Sequence, residues 1–207
     1  IVEEAFLKSI NKNKDISKNY SKISSFKEID ASYNFFLSIG GDGTLLKSVT
    51  YVKDLGIPII GINTGRLGFL ATIQKEEITD SLYQILNGNY FISKRSLLSI
   101  STKPKNKTIS PLNFALNEIA VNRKNTTSMI KVETLVNNMH LTSYWSDGLI
   151  VSTPTGSTGY SLCCGGPVID PSTNSMVITP IAPHNLNARP LVVPDNCTIQ
   201  LKVSGRG

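Results

Sequence analysis

Phe35-Phe36-Leu37-Ser38-Ile39-Gly40-Gly41-Asp42-Gly43-Thr44 is followed at once by Leu45-Leu46-Lys47. The apolar run has the composition of a buried strand, the three glycines turn the chain tightly, and Thr44 opens a helix. A strand-to-helix turn gathers backbone N–H groups where the helix dipole adds positive charge. Gly40, Gly41, Gly43 and Thr44 therefore form a candidate phosphate cradle. Asp42 is the odd member, because a loop that only bound phosphate would carry a lysine there. Its carboxylate suits binding a divalent ion with the phosphates, or accepting a proton from an attacking hydroxyl. The plainer alternative is that Asp42 caps the helix with its side chain. A free aspartate, with pKa about 3.9, is a weak base, and burial beside a sugar would raise it. The stretch points to phosphoryl transfer.

Outward from this turn the first half alternates strands and helices. Val2 to Asn11 has helical spacing, and the polar segment Asn11 to Ser25 lacks any period and reads as a loop. After the helix that Thr44 opens, Ile57-Pro58-Ile59-Ile60-Gly61-Ile62 reads as a second buried strand. Asn63-Thr64-Gly65 turns again, into Arg66-Leu67-Gly68-Phe69-Leu70. A helix from about Lys75 to Leu86 is stopped by Asn87-Gly88-Asn89. The pattern predicts a parallel α/β nucleotide-binding domain over residues 1–92, with both glycine turns at the carboxyl ends of its strands.

From Ser93 helical periods largely vanish, and 93–207 reads as a β-rich, β-sandwich-like domain. Its strand candidates are Leu97–Ser101, Glu118–Val121, Met129–Val136, His140–Trp145, Leu149–Val151, Met176–Thr179 and Thr198–Val203. Asn137-Asn138 and Ser146-Asp147-Gly148 both look like hairpin turns. The chain stops straight after the last candidate, before the partner strand the pattern leads one to expect.

A length of 207 residues is ample for one large domain or two small ones, and no run approaches a membrane span. No signal-peptide pattern is present. The net charge of +6 suits a polyanionic ligand, but the lysines are scattered and many (Lys8, Lys12, Lys14, Lys18, Lys22) fall in the polar N-terminal part. Nucleic acid is therefore not an expected partner. Cys163, Cys164 and Cys197 make neither a disulfide framework nor a zinc pattern, so a reducing, cytoplasmic setting is expected. His140 and His184 alone do not suggest a histidine-centred triad.

Ser152-Thr153-Pro154-Thr155-Gly156-Ser157-Thr158-Gly159-Tyr160-Ser161 is dense in hydroxyls and glycine after a strand. It reads either as a binding loop for ribose, amide or phosphate, with Tyr160 offering an aromatic face, or as an ordinary loop leading into a helix. Asn117-Glu118 can hold an adenine edge and a ribose, or form a solvent-facing pair at a strand end. Asp147 can serve a ligand or only its turn. Arg66 can neutralise phosphate or lie free on a loop, and His184 and Arg189 read as loop structure.

Together these segments resemble the NAD kinase family. The resemblance rests on Gly40-Gly41-Asp42-Gly43-Thr44, Gly61 to Leu70, Asn117-Glu118, and Ser146-Asp147-Gly148 through Thr153–Tyr160 to Gly165-Gly166-Pro167. It covers nearly the whole chain from Asn34. It implies NAD in the cleft between the domains and transfer of the ATP γ-phosphoryl group, with a divalent ion (Mg²⁺), to the 2′-hydroxyl of the adenosine ribose, giving NADP. Asp42 would accept the proton. Gly43, Asn117, Glu118, Thr158, Gly159, Tyr160 and Cys163 would hold NAD, and Phe69 would stack on adenine. Asp147 and Ala182 would meet the nicotinamide end from a neighbouring subunit, in a homodimer or homotetramer. No metal ion is expected to be fixed by the protein alone, and no membrane partner is implied.

Gly159 stands where many relatives have alanine, Cys163 where serine is usual, and Trp145 where some have a basic residue. Family members also begin earlier and run on past Gly207, so the chain is expected to lack both ends. The first motif is shared with diacylglycerol-type lipid kinases, but the Ser152–Ser161 loop is too polar for an acyl channel. A dinucleotide sensor without turnover would leave Asp42 without a purpose.

Overall fold

The structure, a computed structural model, describes residues 1–12, 23–66, 68–107, 109, 112–124 and 128–205. Most of the polar Asn11–Ser25 segment, with Lys14, Lys18 and Lys22, and also Leu67, lies outside the described residues. By its internal contacts the chain divides into two units, Ile1–Tyr90 and Phe91–Gly207.

The first unit is α/β. Strand β1 (Val2–Glu3) pairs in parallel with β2 (Ser25–Phe26), and helix α1 (Glu4–Lys12) follows β1. The sequence predicts helix from Val2. It begins two residues later because the Glu3 carboxylate accepts the Phe6 N–H at 2.9 Å and so caps the first turn. Strand β3 (Phe36–Gly40) leads through helix α2 (Asp42–Val52) to β4 (Ile59–Asn63), which lies parallel to β3 with Gly40 opposite Asn63. Ile57-Pro58 precedes β4 and does not belong to it. Proline has no N–H for a ladder, and Pro58 offers only its carbonyl, to Phe36 N–H at 2.9 Å. A 3₁₀ turn (Lys75–Glu77) then runs into helix α3 (Ile78–Leu86). Gly40 and Asn63 end neighbouring parallel strands, so both glycine turns emerge on the same side.

The second unit is a β-sandwich. After two short strands, β5 (Leu98–Ser99) and β6 (Phe114–Ala115), come β7 (Glu118–Asn122), β8 (Ile130–Val136), β9 (Met139–Ser146) and β10 (Gly148–Ser152). A 3₁₀ turn (Thr155–Thr158) and the short helix α4 (Tyr160–Cys163) separate β10 from β11 (Ser175–Ile181), β12 (Leu191–Pro194) and β13 (Ile199–Gly205). One antiparallel sheet has the order β12-β11-β10-β7 and the other β13-β8-β9. Leu149, Val151, Met176, Ile178 and Val193 of the first sheet form one core with Ile130, Val132 and Tyr144 of the second.

Asn137 and Asn138 both take positive φ (50° and 66°), which makes the tight β8–β9 hairpin the sequence predicts. Ser146-Asp147-Gly148, read as another hairpin, is instead the crossing between the sheets: β9 pairs with β8, and β10 with β7 and β11. The Asp147 N–H donates to Ile181 O at 3.0 Å, and its carbonyl accepts from Arg123 N–H at 2.9 Å. Those bonds hold the corner to the four-stranded sheet. The last strand, β13, pairs along its length with β8. Among the described residues no helix is long and apolar enough to cross a membrane.

Leu149 is fully buried between the two sheets. Leu149→Ala is expected to cost about 2–5 kcal/mol, read as a lower midpoint of urea unfolding.

Candidate active site

Gly41, not Asp42, is the N-cap of α2, and no side chain caps that end. Asp42 is the first helical residue, and its carboxylate reaches across to the second glycine turn. Oδ2 accepts the Phe69 N–H at 2.8 Å, and Oδ1 accepts those of Leu70 (3.0 Å) and Ala71 (3.1 Å). Residues 27 to 29 positions apart are thereby fixed to one side chain. Gly68 belongs to this arrangement, because a Cβ there would run into the Asp42 carboxyl group. Asn63 secures the same turn: its Oδ1 accepts Gly65 N–H at 2.8 Å, and its amide donates to Arg66 O at 3.0 Å. The Thr64 N–H donates to Gly40 O at 3.3 Å, joining the two turns.

Burial pushes the Asp42 carboxyl pKa upward, but the N–H groups of Ala71, Phe69 and Leu70 together outweigh it. The pKa lies below the ordinary aspartate value. This is the reverse of the rise expected from burial beside a sugar. Gly40 is required by its φ of +153° and by the Thr44 side chain packed against it. At Gly41 and Gly43 a Cβ would meet nothing within 4 Å. The protein leaves open space above both, over amides at the start of an 11-residue helix. Arg66 is exposed on the second turn, and the Phe69 side chain is 69% exposed.

In the second unit the hydroxyl-rich loop is mostly scaffold. Ser152, Thr153, Thr155 and Ser157 are buried. Thr153 Oγ1 donates to Leu116 O, Ser152 Oγ to Asn117 O at 3.2 Å, and Ser157 Oγ to Pro154 O at 2.6 Å. These bonds fasten the loop to the start of β7 and leave Thr158, Gly159 and Tyr160 at its outer part, with Tyr160 39% exposed. Cys163 is exposed one turn on, its N–H pointing to Gly159 O at 3.4 Å.

Asn117 and Glu118 are not a solvent-facing pair. Asn117 Oδ1 and Glu118 Oε2 are buried and have no hydrogen-bond partner among the described residues. Burial raises the Glu118 pKa above the ordinary glutamate value. A Cβ on Gly159 would lie 3.4 Å from Glu118 Oε2 and 3.3 Å from Gly156 O, so alanine there would be tight.

Asp147 and Ala182 come together at the other end of the same sheet, where Gly148 pairs with Ile181 and with Asn122. Arg123, which nothing in the sequence pattern singles out, holds Asp147 Oδ1 at 3.0 Å. Ala182 has φ +42°, unusual for a residue with a Cβ. Asn117–Glu118 sit at the opposite end, since Glu118 pairs with Ser152 while Asn122 pairs with Gly148. Glu118 and Asn122 are four strand steps apart, about 14 Å. His184 and Arg189 are loop structure, with the Arg189 guanidinium on Leu186 O and Ala188 O, both at 2.9 Å.

No group of three or more His, Cys, Asp or Glu side chains among the described residues could hold a metal ion.

A parallel α/β unit with two linked glycine turns, followed by a β-sandwich with unfilled acceptors, is the build of a two-unit nucleotide phosphotransferase. Comparison with known proteins makes this specific. The family model for the ATP-NAD kinase N-terminal domain matches residues 3–90, and that for the ATP-NAD kinase C-terminal domain matches residues 116–207. The NAD kinase of Christiangramia forsetii is 61% identical over 207 residues, all of this chain and 70% of that protein. That of Flavobacterium psychrophilum is 58% identical over 206 residues, with 100% and 70% covered. Among solved structures, an NAD kinase from Archaeoglobus fulgidus in complex with ATP superposes with a TM-score of 0.75 at 29% identity, covering 98% of this chain and 79% of that one. Yeast NADH kinase complexed with NADH gives 0.76 at 29% identity, covering 84% and 48%. The chain belongs to the NAD kinase family.

Asp42→Asn removes the charge and turns an amide N–H₂ toward backbone donors, leaving at least one N–H unpaired, at a cost of about 1–3 kcal/mol. The folded-state pKa is depressed, so the carboxylate's contribution is complete above the unfolded value of about 3.9 and fades as pH falls through the lower folded one. Urea unfolding of the two proteins is expected to show the widest gap at neutral pH and a narrowing gap below about pH 4.

Proposed function

We infer that this chain is an NAD kinase, transferring the γ-phosphoryl group of ATP to the 2′-hydroxyl of the adenosine ribose of NAD to form NADP. The observation that carries the reading is the Gly40–Thr44 turn, open above Gly41 and Gly43, with Asp42 tied to Phe69, Leu70 and Ala71. In-line phosphoryl transfer asks little covalent chemistry of a protein. It needs the hydroxyl placed, the phosphate charge met by N–H donors, and one proton accepted. The amides opening α2 supply donors for the triphosphate, and Arg66 lies on the adjoining turn.

Asp42 occupies the position at which the family resemblance sets the proton acceptor. Three N–H groups take three of the roughly four acceptor positions of a carboxylate, which leaves one on Oδ2. Asp42 can therefore hold a ribose hydroxyl in place, although its lowered pKa weakens it as a base. Asn117, Glu118, Thr158, Gly159, Tyr160 and Cys163 are the residues for the rest of the acceptor dinucleotide. Asp147 and Ala182 belong to the nicotinamide end of a neighbouring copy's ligand, in a homodimer or homotetramer. A Mg²⁺ ion enters as part of the nucleotide substrate, and the setting is cytoplasmic.

Purified protein given ATP and NAD is expected to accumulate NADP, and an NAD analogue lacking the 2′-hydroxyl to give no phosphorylated product. No NADP from the wild-type protein, under conditions where it is folded, would overturn the reading. Phe69→Ala is expected to raise KM for NAD roughly 5- to 150-fold, the scale of one lost base–aromatic stack, with little change in stability because the ring is 69% exposed. An unchanged KM would remove Phe69 from the adenine site.

A further inference from the structure

Two of the chain's three cysteines, Cys163 and Cys164, are neighbours. Both are free thiols; Cys163 is exposed and Cys164 is half-buried. They close α4, and their backbone is held from both sides. Cys163 N–H donates to Gly159 O at 3.4 Å, and Cys164 N–H to Tyr160 O at 3.2 Å and Ser161 O at 3.1 Å. Beyond them Gly165 turns the chain with φ +82°, its N–H on Leu162 O at 3.0 Å, and Gly166 N–H reaches Ser161 O at 2.8 Å. The pair therefore sits on a fixed backbone, and each sulfur moves by rotation about χ1 alone.

A direct disulfide fits this pair poorly. Disulfides span Cα atoms about 4.4–6.8 Å apart, whereas neighbours across a trans peptide are held at about 3.8 Å. A third atom bridging the sulfurs removes that constraint, because it sets them further apart than one S–S bond does. Burial first, and then the neighbouring Cys163 sulfur, push the Cys164 thiol above the ordinary cysteine value, so it stays protonated at neutral pH. A ligand for the pair must therefore be soft, bridge two sulfurs and carry off their protons. Coordination number narrows the choice further. Among the described residues no group of three or more His, Cys, Asp or Glu side chains could hold a metal ion, so two sulfurs are what this place supplies. Four-coordinate zinc would lack half its ligands. A monosubstituted trivalent arsenical keeps one carbon substituent and needs two sulfurs to complete its three bonds, and thiol sulfur is the soft ligand such a centre prefers.

We propose that Cys163 and Cys164 form a two-sulfur site for monosubstituted trivalent arsenicals. In the step both S–H bonds break, two As–S bonds form, and the oxo oxygen of R–As=O leaves as water with both protons. Sulfur and arsenic keep their oxidation states, so no oxidant or reductant is needed. Once one sulfur is bound, the second attacks within the same molecule at high effective concentration, and the pair holds arsenic longer than a single thiol does. Thr158, Gly159 and Tyr160 lie immediately upstream in the chain, so the filled site stands on the loop assigned to NAD. That last consequence rests on the NAD kinase reading.

The probe is phenylarsine oxide, added in equal amount to the full chain kept reduced by a phosphine, with intact mass and thiol titration as readouts. The wild type is expected to gain one phenylarsenic group with loss of one water, and to lose two of its three titratable thiols. The adduct should survive washing with 2-mercaptoethanol and be stripped by 2,3-dimercaptopropanol. Cys163→Ser and Cys164→Ser should each lose the label in the monothiol wash. Cys197→Ser should keep it, since Cys197 lies between β12 and β13 and packs against the sandwich core. No label on the wild type, label that survives the wash in either variant of the pair, or label lost in Cys197→Ser overturns the proposal. Should Cys164→Ser fail to fold, peptide mapping of the labelled wild type decides. Arsenic bridging both sulfurs of one peptide supports the site, and arsenic on Cys197 overturns it. NADP formation, read on the same samples, is expected to fall in proportion to the label and to return with the dithiol. Full activity at full labelling overturns the consequence for NAD. Wild-type protein that takes up the label but makes no NADP supports the site and defeats the kinase reading.

Discussion

Phe69, Leu70 and Ala71 each point a backbone N–H at one carboxylate, that of Asp42, and the geometry of the first unit follows from that convergence. Two turns at the ends of parallel strands would otherwise be independent loops, each free to move by rotation about a few bonds. Charge-assisted bonds of this kind are about twice as strong as neutral ones. They fix the backbone of Phe69, whose ring is left exposed. The requirement reaches outward as well, because Gly68 has no room for a side chain once the carboxylate is in place.

The second unit solves a different problem. Its sandwich core and the inward hydroxyls of Ser152, Thr153 and Ser157 make the start of β7 rigid, and that rigidity keeps the Asn117 and Glu118 acceptors buried without partners. A flexible loop would relax until those atoms found water or a donor. The two carboxylates thus sit in opposite environments, one supplied with donors and one deprived of them, and their proton affinities separate accordingly.

The glycine turn, the parallel pairing and the switch to a β unit were legible because each rests on local chemistry. Gly-Gly-Asp-Gly after an apolar run, Asn-Asn between alternating runs, and Asn-Gly after a helix all constrain their own backbone. What escaped depends on distant partners. The clamp made by Asp42 was not legible, because sequence spacing cannot show donors 27 to 29 residues away. Asp147-Gly148 looked like a hairpin because a corner between sheets and a turn within one use the same dipeptide, and only the pairing of β10 with β7 and β11 tells them apart. The short β12, bounded by Pro190 and Pro194, gave too brief an apolar run to register. For the Ser152–Ser161 loop the sequence left a binding loop and an ordinary loop both open; Ser152, Thr153 and Ser157 turn their hydroxyls to the backbone. The few acceptors that remain for a ligand, on Asn117 and Glu118, looked like an ordinary strand end.

Amide hydrogen exchange of Phe69, Leu70 and Ala71 at neutral pH tests the Asp42 clamp most directly. The expected result is protection of all three in the wild-type protein. In Asp42→Ala that protection should be lost selectively, while the amides of the β3–β4 ladder keep theirs. Exchange at free-loop rates in the wild type, or protection that survives the loss of the carboxylate, would contradict the account.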